Sequence, residues 1–548
     1  MKKATKVTLA LLLCFVMLFA LVACNNTGNG NDTTGTQTDD GGSTQDNSTG
    51  DSSGDTSSGT SGDTSADTPV SAKDTLTVSV SGDNGTLVPA DITGTFIGVV
   101  RQYMEVLVDF TAEGDPVWVL ATDIEQGTDT WTVHLREGVT FSNGNKFNAD
   151  DVWFTFEYYK SDPMSANFLT CFDMEKSKII DEYTIELALS HYSMQQFGSL
   201  CQIYILDAET FSEDTFIMEP VGTGPYVITD YVINSHLYMK ANENYWGEKA
   251  KIENLQFRVF NESAQMVNAI QTGLVDVSSI PSQDIEYVKT LPGYIVDMYY
   301  SILTPTISFN MTENSIMNNL DARLAVCYAA DRQAIIDIVY DGHADVLHYP
   351  LSMNCLDYED RFGNLHPTYS IGRDLDLARQ HAEAAGLVGQ DIVAITNGSL
   401  LYSTEAELLQ ADLAQIGVNL IINNYDAGSY FSISQDTTMF DISLYAVASP
   451  QGYAAGMLYE YVMWGANNYG KGWDGYEDYL ALGAAIVANP DTASRSDMLL
   501  ELSQQFVDVA PWYGICDVMS GMAINEDLGG VEFWNSGGMR YVDWYWKS

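Results

Sequence analysis

The stretch from Trp131 to Tyr159, WTVHLREGVTFSNGNKFNADDVWFTFEYY, constrains the fold more than any other. Trp131, Val133 and Leu135 alternate with Thr132, His134 and Arg136, the period-2 pattern of a strand with one buried face. Glu137-Gly138 interrupts it, Val139-Thr140-Phe141 resumes it, and Ser142-Asn143-Gly144-Asn145 signals a second turn. Asn148 stands at the N-cap position of a helix whose first turn holds Asp150 and Asp151, where carboxylates meet free N–H groups. Val152, Phe156 and Tyr159 recur at helical spacing and give that helix one apolar face. The segment therefore reads as strand, turn, strand, tight turn and capped helix.

The N-terminus reads as an export signal. Lys2, Lys3 and Lys6 precede an apolar run from Val7 to Val22, too short to span a bilayer comfortably. Leu21-Val22-Ala23-Cys24 follows and resembles a bacterial lipobox, which implies that residues 1–23 are a lipoprotein signal peptide and that Cys24 is the lipidated first residue. Several acyl chains, each adding about 0.8 kcal/mol per buried CH₂, would anchor it firmly to the outer face of the cell membrane. Residues 24–72 beyond Cys24 are nearly all Gly, Ser, Thr, Asp and Asn, with no aromatic residue before position 73. Such composition cannot bury enough apolar surface to order itself, so the segment is expected to be a tether spanning roughly 35–40 Å. Gly50-Asp51-Ser52-Ser53-Gly54 inside it matches the nucleophile-elbow pattern without the strand and helix that pattern requires.

Beyond the tether, about 475 residues suffice for two or three domains. A net charge of −50 argues against nucleic acid and anionic lipid surfaces as partners. After Cys14 and Cys24 are set aside, Cys171, Cys201, Cys327, Cys355 and Cys516 remain. Their odd number precludes complete internal pairing. Free buried thiols are expected, with a Cys171–Cys201 disulfide left open.

Chemistry-bearing motifs are missing. The seven His stand singly, there is no H-E-x-x-H, and no nucleotide-binding glycine loop occurs. No catalytic residue, metal ligand or cofactor is assigned, and a non-enzyme is expected. Two other classes stay in view: a surface-anchored hydrolase using an uncatalogued carboxylate site, and an adhesin.

Several motifs together resemble the extracytoplasmic solute-binding proteins of family 5, the peptide and nickel binding family of ABC importers. Trp131, Leu135, Arg136, Gly138, Val139, Phe141, Gly144, Ala149, Asp151 and Val152 fall on one family pattern. Pro220-Val221-Gly222-Thr223-Gly224-Pro225-Tyr226 and Asn242-Glu243-Asn244-Tyr245-Trp246 fall on two more. Asp321-Ala322-Arg323, continuing to Tyr328-Ala329-Ala330-Asp331-Arg332, falls on a fourth. The glycines at 222 and 224 suit a turn with unusual backbone angles. Val99–Phe110 suits a helix with Tyr103, Val106, Leu107 and Phe110 inward, and Asp321 and Asp331 suit N-caps.

The resemblance implies an α/β, two-lobed periplasmic-binding-protein-like fold of type II, with an extra inserted subdomain and a ligand cleft between the lobes. Lobe I would comprise 73–112, 221–305 and 520–548, the inserted subdomain 113–220, and lobe II 306–519. It also implies a monomer that hands a small molecule or peptide to ABC importer permease subunits. Between Tyr445 and Trp473 the chain is rich in Tyr, Trp, Gly and Asn, and in the family this part of the second lobe faces the cleft. Tyr445, Ser449, Gln451, Tyr453, Trp464, Asn467 and Trp473 are the candidate ligand-binding residues, because aromatic faces give contact area and amides set orientation. Peptide-binding members carry an Asp here for the ligand's α-amino group, whereas Ala446–Gln451 contains no acid. The resemblance extends to members that take opines, oligosaccharides or metal chelates, so a neutral polar ligand fits as well as a peptide.

Overall fold

The computed structural model describes residues 73–91, 96–111, 114–162, 165–193, 195–216, 219–301, 303–448, 453, 458–459, 462, 473–532 and 539–547. The signal, the tether, Cys24, Ser449, Gln451, Trp464 and Asn467 lie outside them.

The segment 131–159 folds as its pattern predicts except at 139–141, where a single isolated bridge from Thr140 to Lys146 stands in place of the expected second strand. Thr130–Leu135 is a central strand of a four-stranded antiparallel sheet, between Ala121–Gln126 and Thr184–Leu189, with Phe172–Asp181 beyond. Trp131 is fully buried, edge-on to Phe172 at 5.3 Å. Gly138 and Gly144 take φ of 79° and 94°, the left-handed conformation that their turns require. The helix Ala149–Ser161 starts with a capping box: Asn148 accepts from Asp150 N–H, and Asp151 accepts from Asn148 N–H at 2.8 Å. The other Asp151 oxygen accepts from Ala208 N–H at 2.9 Å, tying the helix start to the far end of the same unit.

A larger sheet runs in the order Tyr294–Tyr300, Cys516–Asn525, Val277–Ile280, Thr75–Val80, Asn254–Val259, His236–Ala241 and Tyr226–Val232. Its central strand, Thr75–Val80, is parallel to both neighbours, and the flanking pairs are antiparallel. One continuous core joins this sheet to the four-stranded unit. A five-stranded sheet forms a second centre, ordered Asn419–Asn424, Asp391–Thr396, Ile442–Ala448, Leu303–Phe309 and Trp512–Gly514, with a core of its own. The chain crosses between the two sheets after Tyr300 and again between Gly514 and Cys516. Between these crossings Ala344–Val346 pairs with residues 516–518 at the edge of the larger sheet, and a smaller cluster around Ile270, Ile285 and Val288 packs on that sheet. The two main cores, one on each of these sheets, mark two lobes.

Three expectations need correction. Val99–Phe110 is not one helix. Helical structure covers Ile97–Val100, and Val108–Phe110 is a strand. The backbone between them bonds elsewhere: the carbonyls of Gln102, Tyr103 and Glu105 accept from Tyr226, Gly224 and Ile205 N–H. Gly222 and Gly224 do not adopt left-handed angles. They are needed because a Cβ would stand 2.0 Å from the Tyr103 carbonyl oxygen at 222 and 2.6 Å from the Tyr103 carbonyl carbon at 224. The N-cap of Leu320–Ala329 is Asn319, and Asp321 sits in the first turn, paired with His381 at 2.8 Å. Asp331 does cap the next helix, accepting from Ala334 N–H. All five cysteines outside the N-terminal region are free.

The second lobe buries one carboxyl deeply. Glu405, on the helix Leu400–Ala414, has no exposed surface; one oxygen accepts from the Tyr340 hydroxyl at 2.6 Å, and the other has no partner among the described residues. Burial pushes its pKa up to about 8, with the Tyr340 hydrogen bond opposing the shift. The folded protein therefore holds a proton that the unfolded chain releases near its ordinary value of 4.5. This contribution is full below that value and is lost as pH rises toward about 8. Glu405→Gln, which mimics the protonated form, is expected to raise stability near pH 7 by on the order of 3 kcal/mol and to flatten its fall with pH. Thermal midpoints of both proteins from acid to mildly alkaline pH check this, and parallel curves would contradict it.

Candidate functional site

Three of the candidate ligand residues are described, and they occupy different places. Tyr445 lies in the strand Ile442–Ala448 opposite Thr306, whose hydroxyl donates to the Tyr445 carbonyl at 3.0 Å; its side chain is buried in the second core. Trp473 is half-buried against that core, edge-on to Tyr479 at 5.1 Å and to Tyr476 at 6.1 Å. Its indole N–H is buried without a hydrogen-bond partner among the described residues. Tyr453 is half-buried, and its phenol pKa is raised, first by burial and then by Asp357. Arg495 opposes the rise, and Tyr192 of the four-stranded unit adds to it. Groups from both parts of the molecule thus act electrostatically on Tyr453. Leu356 reaches across nearby, since a Cβ on Gly114 would stand 2.7 Å from its side chain.

A second group was not foreseen. Where the larger sheet meets the four-stranded unit, a cavity of about 30 Å³ is lined by Arg101, Glu105, Asp109, Tyr204, Tyr245 and Arg540, among others. Glu105 accepts from the Tyr245 hydroxyl at 2.6 Å and from the Trp246 indole N–H at 2.7 Å. Burial raises the Glu105 pKa, and these two donors pull it back. Arg136 lies over the Trp246 ring at 4.5 Å and donates to the Val119 carbonyl at 2.7 Å. Arg101 pairs through Nη1 with Asp109, and both side chains are less than a tenth exposed. Burial works against the Arg101 charge and Asp109 offsets it, leaving the guanidinium more basic than usual. Gln102 holds the C-terminal segment, donating to the Met539 carbonyl at 2.6 Å and accepting from Tyr541 N–H at 3.3 Å, which brings Arg540 to the cavity.

The sequence carried a signal for this group. Arg101 and Asp109 interrupt an apolar run, eight residues apart. Reading that run as one helix set them on its outer side; the break after Val100 turns both inward.

Among the described residues, no group of three or more His, Cys, Asp and Glu could hold a metal ion, and no helix is long and apolar enough to cross a membrane.

Residues 115–469, more than half of the chain, match the profile of bacterial extracellular solute-binding proteins, family 5 Middle. The chain belongs to this family. A di/tripeptide-binding protein of Pseudomonas aeruginosa is 25% identical over 341 residues, 56% of this chain and 63% of that protein. The heme-binding protein A of Haemophilus influenzae is 26% identical over 369 residues, 60% of this chain and 66% of that protein. The match therefore spans a little under two thirds of these relatives' lengths. The ABC transporter substrate-binding protein CtaP of Listeria monocytogenes has the same fold, with a TM-score of 0.76 at 21% identity; the match covers 87% of this chain and all of that one. As in these family members, the fold is two-lobed and mixed α/β.

Trp473 contacts core rings, so its loss is expected to weaken folding. Trp473→Ala should lower stability by about 2 kcal/mol, less than a fully buried Trp would cost. Trp473→Phe should cost less, because it keeps ring contact and removes an unpartnered N–H. Denaturant midpoints of the two variants test the order. An unchanged midpoint for Trp473→Ala would mean that the ring adds nothing to the stability of the core.

Proposed function

We propose that this chain is a lipid-anchored extracytoplasmic receptor that captures a small peptide or other polar solute between its lobes and delivers it to an ABC importer permease. The observation that carries this reading is the division of a family 5 chain into two sheets, each with a main core of its own. That geometry suits a protein whose work is closure. A ligand favours the closed form by its differential affinity for it, and no covalent step is required. The relatives' names, di/tripeptide-binding and heme-binding, bracket the solutes that such a cleft can take. The absence of an acid across Ala446–Gln451 argues against a ligand held mainly by its ammonium, since a buried ammonium without a carboxylate is costly. The proposed ligand residues remain the aromatic and amide stretch from Tyr445 to Trp473, with Tyr453 the described member on which groups of both parts of the molecule act electrostatically.

Native mass spectrometry of protein purified from its own source tests the receptor reading directly. A retained small solute, released on mild denaturation, is the expected result. Apo protein that also shows no change in tryptophan fluorescence with peptides, opines or chelates would overturn it. Anchoring is tested separately. Cys24→Ala is expected to release the protein from membranes or leave it unprocessed, and fully membrane-bound mature Cys24→Ala protein would exclude acylation at that residue.

A further inference from the structure

The loop 352–358 is tied to both lobes. Its stem is pinned in the second lobe, where the Leu347 carbonyl accepts from Arg332 and the Pro350 carbonyl accepts from the Trp512 indole N–H at 2.9 Å. Its first half is held by Asp517, the second residue of the strand Cys516–Asn525, just past the second crossing. One Asp517 oxygen accepts from Met353 N–H at 2.9 Å and from the Asn354 amide at 3.3 Å, and the Ser352 side chain adds a third bond. Asp517 has no exposed surface. Burial, and less so the facing Asp345, pushes its pKa up to about 6, while the Ser352 and Met353 bonds hold it back. The buried carboxyl and the loop therefore depend on each other.

The tip of the loop reaches the first lobe. Its members Cys355 and Tyr358 pack on the second core, while Leu356 between them meets Gly114. Gly114 lies in the turn between the paired strands Val108–Phe110 and Pro116–Trp118, and Phe110 belongs to the first core. A Cβ on Gly114 would stand 2.7 Å from the Leu356 side chain, and φ there is 86°, so the contact and the turn both call for glycine. Asp357, beside Leu356, acts on the phenol of Tyr453, the candidate ligand residue. The crossing strand, a candidate ligand residue and a first-lobe turn thus meet at one loop.

We infer that the loop 352–358 is the latch of the closed form, with Leu356 against Gly114 as the contact made on closure and Asp517 as the positioning residue that aims the loop at it. This rests on the two-lobed receptor reading and assigns the element that sets how far the lobes close. Asp517 stands beside a crossing, where one lobe moves least against the other, so its bonds to the loop can persist while the tip contact opens and closes. A solute that favours the closed form adds its own differential affinity to that contact.

The test uses the full chain with no added solute. Amide hydrogen exchange read by mass spectrometry follows residues 352–358 in one lobe and 114–119 in the other. Leu356→Ala is expected to speed exchange in 114–119 by about fivefold, since it removes an apolar contact and leaves the hydrogen bonds of that turn in place. Asp517→Ala should speed exchange in 352–358 by about tenfold or more, through loss of a carboxylate acceptor, and 114–119 should follow. Asp517→Asn keeps an acceptor for Met353 N–H and should restore part of the protection. Small-angle X-ray scattering of Leu356→Ala should give a larger radius of gyration than the wild type, because loss of the latch favours the open form. Faster exchange confined to 352–358 would make the loop a local structure only and overturn the inference. An unchanged radius of gyration in Leu356→Ala would overturn it too. If Asp517→Ala does not fold, Leu356→Ala decides alone. Failure of the latch leaves solute retention as it stands, and a chain without retained solute still shows whether 114–119 responds, so the two readings fail separately.

Discussion

The first lobe depends on a short backbone segment, Arg101 to Glu105, that gives its hydrogen bonds away. Tyr226 and Gly224 N–H groups donate to Gln102 and Tyr103 carbonyls, and Ile205 N–H donates to Glu105. A helix would have used those acceptors internally, so its early end is a condition of assembly. The contact is close enough that only glycine fits at 222 and 224. One segment thereby fixes the Gly-Thr-Gly turn, the end of the inserted unit and the first strand of the lobe's edge. Its side chains, turned inward by the same break, become the polar lining of the cavity.

Motifs that lie far apart in the chain prove to be partners. Glu105 joins the Tyr-Trp pair at 245 and 246, and Arg136 stacks on the same Trp246 ring. The second-lobe motif has the same logic. Arg323 takes the Val509 carbonyl oxygen at the end of the helix Thr492–Val509, and burial lowers its pKa to about 10. Arg332 braces the strand at Gly514, just before the second crossing between lobes. These residues hold the scaffold, and they do so by satisfying buried polar groups across long sequence separations.

This explains what was legible in the sequence. Period-2 and helical spacing around Trp131 and Asn148 are local, so that strand, turn and cap could be read directly. The family patterns supplied the two lobes. The extent of the helix near Val99 could not be read, because its end is decided by Tyr226 and Gly224, more than a hundred residues away. Asp321 was displaced from its cap for a local reason: Asn319 stands two residues earlier and caps as well. The Arg101 pair was least legible of all. An arginine inside an apolar run shows only that a charge is buried, and its partner is set by where Asp109 folds.

The first lobe buries a cation inside a chain whose net charge is −50. At a distance extracellular salt screens that charge within about 10 Å, so inside the protein the balance is local. Burial works against the Arg101 charge, and Asp109, paired with it, offsets the cost and keeps the guanidinium protonated. The pair closes a polar seam between the larger sheet and the four-stranded unit, where Glu105 takes the Tyr245 and Trp246 donors and Arg540 arrives with the C-terminal segment. Charge is thus tolerated in this core only where a partner from another part of the chain meets it.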